Sequence, residues 1–160
     1  MTVTPDHWLT VKLPGAGPRP AMRLPVMPGW AKGEAKIDSG IQAVYVNDAL
    51  SVPGAHTSVI VSVSDPQGDF DAYVQGLKGD GVSAFSVTPA TVCGFQARHV
   101  SYTQALSTTP APLLVTALMV LVPNSAGGAV VAGVFSQTAD PDNKTYQADS
   151  DALFNNIQVA

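Results

Sequence analysis

The sequence predicts an α+β domain, an α/β/α sandwich whose central, mostly antiparallel sheet is flanked by two helices. Three stretches carry that expectation. The first is a pair of apolar runs, Leu113–Val122 and Gly128–Phe135, around Pro123-Asn124-Ser125-Ala126-Gly127. Two short apolar runs about a loop composition read as a β-hairpin. The second is Phe70, Tyr73, Val74 and Leu77, which fall on one helical face. The third is Tyr146, Ser150, Leu153, Phe154 and Ile157, a second helical stripe.

Taken in order, Trp8–Leu13 alternates and reads as a first strand. Pro14 to Pro28 then carries five prolines, at 14, 18, 20, 25 and 28, and Gly29-Trp30 closes the stretch. Proline fixes φ and removes a donor, so residues 14–30 are expected to form an extended proline-rich loop. Residues 31–40 are polar and contain glycine, a loop again. Ile41–Asn47 and Thr57–Ser64 read as strands, the second with Val59, Val61 and Val63 on one face. At Gly68-Asp69 the period becomes helical. The spacing predicts a helix over 70–78, with Asp69 as its N-cap and Gly79 in the left-handed position that follows a helix.

Ser83–Thr88 and Gly94–Tyr102 read as strands, and Gln104–Pro112 as a Ser/Thr/Pro loop. In the hairpin that follows, Leu114, Leu118, Val120 and Val122 share one face, and Val115, Ala117, Met119 and Leu121 the other. A strand apolar on both faces belongs in the middle of a sheet covered on both sides. A transmembrane helix would need about 18 apolar residues, and Pro123 closes this run first. Asp140-Pro141-Asp142 is expected to open the last helix, with Pro141 at its first position and the aspartates at the positive end of its dipole.

The chain has 160 residues and reads as a single domain, 1–160. A chain of this size buries roughly two thirds of its unfolded surface, enough for a core without staples. It is 46% hydrophobic and 12% charged, with a net charge of −4. No basic block is present, which argues against nucleic acid and against a polybasic membrane anchor. Cys93, the one cysteine, excludes an internal disulfide and a Cys-only zinc site. Residues 1–25 lack the charged start and apolar core of a signal peptide. The chain is therefore expected to be cytoplasmic, or exported with its signal removed.

No catalytic motif is found: neither a Gly-x-Ser-x-Gly elbow nor a phosphate loop. Histidines 7, 56 and 99 stand apart in sequence. Only a Ser/His/Asp set assembled by the fold would supply nucleophilic chemistry. Asp140, Asp142, Asp149 and Asp151 lack the glycine and glutamate of a calcium loop, and read as helix cap and solvated face. No metal and no cofactor are expected. Cys93 reads as a small buried hydrophobe, and His99, on one face with Phe95 and Ala97, as a structural histidine. Trp30 either pins the proline-rich loop to the sheet or lines a binding mouth, where a ring with one polar edge is useful. Asn143-Lys144-Thr145 is a formal glycosylation sequon.

Several segments together resemble the LpqN family of mycobacterial lipoproteins. They are Leu24-Pro25-Val26-Met27-Pro28-Gly29-Trp30, Gly68-Asp69-Phe70-Asp71 opening a helix, Gly94-Phe95-Gln96-Ala97 opening a strand, the apolar hairpin and a terminal helix. Their order and spacing match over nearly the whole chain. The resemblance implies a PsbP-like fold and an exported, non-enzymatic protein of the cell envelope, associated with lipid handling or with protein partners. It brings no catalytic residue with it. The chain departs from the family in showing no signal and no lipobox cysteine near residue 1.

Two functions of different class follow. One is a binding protein for an apolar or acylated lipid or glycolipid, held between sheet and helix, with Trp30, Phe70 and Tyr73 as the ligand-contacting candidates. The other is an interaction module that docks an envelope or host protein without a small-molecule ligand. A cavity lined by Trp30 would favour the first, and a solid core with an exposed apolar patch the second. A serine within reach of a histidine, in a cleft, would instead point to an esterase-like enzyme.

Overall fold

The computed structural model describes residues 4–13, 21–33, 40–66, 68–109, 111–123 and 127–159. Its strands are β1 (His7–Lys12), β2 (Ala21–Val26), β3 (Ala31–Lys32), β4 (Ile41–Val46), β5 (Ser58–Ser64), β6 (Val82–Val92), β7 (Phe95–Gln104), β8 (Leu113–Pro123), β9 (Ala129–Thr138) and β10 (Gln158–Val159). Two α-helices join them: α1 (Phe70–Gln75) and α2 (Lys144–Asn155). Among the described residues the strands form two sheets. The larger runs β3-β4-β5-β9-β8-β7-β6 and the smaller β1-β2-β10, and every pairing is antiparallel.

β8 and β9 are inner strands of the large sheet, paired from Leu114 opposite Thr138 to Pro123 opposite Ala129. The two-faced apolarity of β8 has its expected consequence. Leu118, Val120 and Val122 face a core that also takes in Met22, Leu24, Leu153 and Ile157. Val115, Ala117 and Met119 face a second core, closed by Phe70 and Val74 of α1. Burying a side chain of this size fully is worth about 1.5–3 kcal/mol, so both faces of one strand hold the fold together.

The chain does not form the expected α/β/α sandwich. Its described residues are mostly antiparallel β, in two sheets, with two α-helices. Among the described residues, one face of the large sheet carries the small sheet together with α2, and the other carries the six-residue α1. The second sheet was hidden by proline. β2 lies inside the stretch expected to be loop, and Pro25 sits in it opposite Trp8. On its other side β2 is paired by β10 only at Met22 and Arg23, so at Pro25 it is an edge, where a missing N–H costs nothing. Residues 14–20 of that stretch lie outside the described residues. β6 likewise runs on through Pro89 to Val92, because it is the edge strand of the large sheet.

Smaller differences have equally local causes. Cys93 and Gly94 form the two-residue turn between β6 and β7, at φ +50° and +86°. Positive φ at both central residues is the turn whose twist suits a hairpin, and it leaves Cys93 exposed rather than buried. Ala31–Lys32 adds a short edge strand within the expected loop 31–40, of which residues 34–39 lie outside the described residues. α1 ends at Gln75, before 78, and its last carbonyls are taken by the N–H groups of Gly76, Leu77 and Lys78. Asp69 occupies the N-cap position without a side-chain hydrogen bond, and Gly79 is not left-handed. α2 starts after Asn143, not at Pro141: Asn143 Oδ1 accepts from the Tyr146 N–H at 3.1 Å, the capping bond that Pro141 cannot provide.

Candidate functional site

The cleft that gathers polar groups lies where the small sheet, the large sheet and α2 meet. β2 and the residue after it supply Leu24, Pro25, Val26 and Met27 to its wall. Trp30 follows from the turn that leaves β2. Tyr45, Val59 and Ser136 come from β4, β5 and β9, and Asp149, Ser150 and Leu153 from α2. Leu24, Val26, Tyr45 and Val59 are there because each strand turns alternate residues inward, towards the core shared by the two sheets. The groove opens to solvent and measures about 350 Å³ counted out to its mouth, and within it about 20 Å³ is free for the centres of water-sized molecules. That is room for one water. It is a groove in a packed wall, not a chamber.

Asp149 is the unexpected member. It was expected on the solvated face of the helix, but its side chain is buried, with 6% of the residue exposed. The reason is helical geometry: Asp149 lies three residues after Tyr146 and four before Leu153, on the same stripe. The spacing of the stripe includes this position, although aspartate as a residue type reads as solvated. Its carboxylate accepts a hydrogen bond from the Trp30 indole Nε1–H, which donates to Oδ2 at 2.8 Å across 119 residues of sequence. Burial pushes the carboxyl above the ordinary carboxylate range, and the Trp30 bond partly offsets that. Beside it, Ser136 Oγ and Tyr146 Oη share a buried hydrogen bond of 2.8 Å. Burial raises the Tyr146 phenol, opposed by its bonds with Ser136 and Ser150.

Trp30 thus pins its turn to α2 and lines the groove at once. The other two candidates lie elsewhere. Phe70 and Tyr73 belong to α1, on the opposite face of the large sheet, so the three do not make one site. Phe70 is buried beneath the Arg98 guanidinium, 5.2 Å from its ring centre, and Arg98 Nε donates to Asp71 Oδ1 at 3.0 Å. These contacts fasten α1 to β7. Tyr73 is half-buried against the same core.

Among the described residues no histidine lines the groove, and its two serines, Ser136 and Ser150, are both bonded to Tyr146. His7 and His56 are exposed, and His99 is exposed with its ring edge-on to Phe154. Among the described residues no group of three His, Cys, Asp or Glu side chains is placed to hold a metal ion, and no helix is long and apolar enough to cross a membrane.

No protein-family model matches this sequence, and no curated protein matches it by sequence. By structure, the chain is similar to LpqN of Mycobacterium tuberculosis, a protein described as involved in cell envelope biogenesis. The TM-score is 0.67 at 16% identity, over 97% of this chain and 92% of that one. The chain therefore has an LpqN-like fold. The Ran-binding protein Mog1p of Saccharomyces cerevisiae aligns over 95% of both chains at 16% identity, with a TM-score of 0.49.

Proposed function

We propose that this chain is a non-catalytic binding protein of the cell envelope, and that it receives an apolar or acyl-bearing part of its ligand in the Trp30 groove. The observation that carries this reading is the groove itself. Its walls are predominantly apolar, with few polar groups among them, and Trp30 is held in place by Asp149. Small-molecule sites have this composition, apolar walls for affinity and few polar groups for orientation. The LpqN-like fold, with LpqN's own part in envelope biogenesis, supports the cellular setting.

The narrowness of the groove specifies how the ligand would lie. With free space for one water, it cannot enclose an acyl chain as it stands, so the apolar segment rests along the groove or Met27 and Leu153 move aside. The same narrowness favours a second reading, in which a side chain of an envelope or host protein docks there. The test is to purify the protein natively, extract it with solvent, and add back fatty acids and acylated sugars while following Trp fluorescence and melting. Co-purified lipid, or a saturable response to the added lipids, is the expected result. Neither, up to high micromolar ligand, leaves the protein-docking reading in its place.

A further inference from the structure

We infer that the groove takes the primary ammonium group of an alkylamine, seated against Asp149. This rests on the groove being a binding site and specifies the chemistry of what binds. The Asp149 carboxylate is buried, yet no cation among the described residues pairs with it. Among the described residues, Trp30 is its one side-chain hydrogen-bond donor, and no lysine, arginine or histidine forms an ion pair with it. A carboxylate can accept about four hydrogen bonds, and buried charges in proteins are as a rule paired. Acceptor capacity therefore remains at a groove wall that is otherwise mostly apolar. The free space is sized for one water, and a primary ammonium is a compact point charge of about that size. Leu24, Met27 and Leu153 then flank an aliphatic stem.

The experiment uses the full chain carrying W8F, so that Trp30 is the one indole reporting; Trp8 does not line the groove. Butylammonium, 1-butanol and butyrate are titrated at equal ionic strength and followed by Trp30 emission and melting temperature. Butylammonium is expected to bind at least about tenfold more tightly than butanol, with no response to butyrate. Asp149→Asn preserves size and an acceptor for Trp30, and is expected to bring butylammonium down to the level of butanol. Lysine blocked at both backbone ends separates two sources of the same chemistry: tighter binding than butylammonium supports a protein partner's side chain, and weaker binding a free amine. If butanol matches butylammonium, or D149N leaves the response unchanged, the ammonium inference is overturned while the groove remains a binding site. If none of the probes binds, the inference is likewise overturned, and the lipid add-back decides the groove separately.

Discussion

Asp149 and Trp30 form a pair in which each residue explains the other. The carboxylate is buried because it lies on the apolar stripe of α2, and the indole gives it a donor at 2.8 Å. Since burial raises its pKa in the folded state, at a pH between the ordinary and the raised value the folded protein holds a proton that the unfolded chain has lost. Stability from this group is thus fully present below the ordinary carboxylate pKa and falls as pH rises through the raised one. Asp149→Asn removes that titration. Denaturation of both proteins by urea, from acid to neutral pH, should show wild type losing stability relative to D149N as pH increases. A constant difference across that range would refute the assignment. Trp30→Phe removes the donor and leaves the carboxylate buried without it. We expect a loss of about 1–3 kcal/mol at neutral pH, measured by urea midpoint, and a smaller loss at acid pH, where the carboxyl is protonated.

At the scale of elements, the hairpin β8–β9 is the part that tolerates least. Leu118 and Met119 are each 1% exposed, on opposite faces of the same strand. A carboxylate at either position would be buried without a partner, in a different core each time. Leu118→Asp and Met119→Asp should each cost more than about 4 kcal/mol, the range reserved for buried unpaired charge. Melting of either variant at the wild-type temperature would remove β8 from the centre of the sheet. The edge strand β6 obeys the opposite rule. It carries Pro89 and a register shift between Ser83 and Ser86, with Ala84 at φ +52°. Both features interrupt the open row of backbone groups that would otherwise invite pairing with another chain.

At the scale of the whole molecule, the small sheet closes the structure. β1 and β2 come from the start of the chain and β10 from its end, so the sheet is complete only when residues 158–159 reach Met22 and Arg23. Ile157 and Val159 are buried in the core beneath it. Ending the chain at Asn156 removes both side chains and the β10 pairing. At about 1.5–3 kcal/mol for each buried aliphatic, the shortened chain should lose about 3 kcal/mol or more in urea denaturation. The groove should loosen with it, because β2 forms part of its wall, and Trp30 emission should shift towards that of exposed indole. An unchanged urea midpoint would mean that the small sheet contributes little to closure.

The sequence by itself determined whatever depends on neighbours along the chain. The two-faced run at 113–122 placed the hairpin at the centre of a covered sheet, because both sides of a pleated strand are written in consecutive residues. The stripe from Tyr146 to Ile157 located α2 for the same reason. What only the tertiary structure decided depends on residues far apart. Whether Pro25 and Pro89 break a strand turns on whether they sit at an edge, and that is a property of sheet order, which no local pattern contains. The second sheet, and with it the departure from a sandwich flanked by two helices, rests on β2, which accommodates Pro25 at an open edge, and on a strand contributed by the far end of the chain. Asp149 was legible as a position on the stripe and illegible as a buried group. The cost of its burial is partly offset by a donor that arrives from Trp30, 119 residues away. A carboxylate without that donor would carry the larger cost of an unpaired buried group, so the same helix reads differently once the fold supplies it.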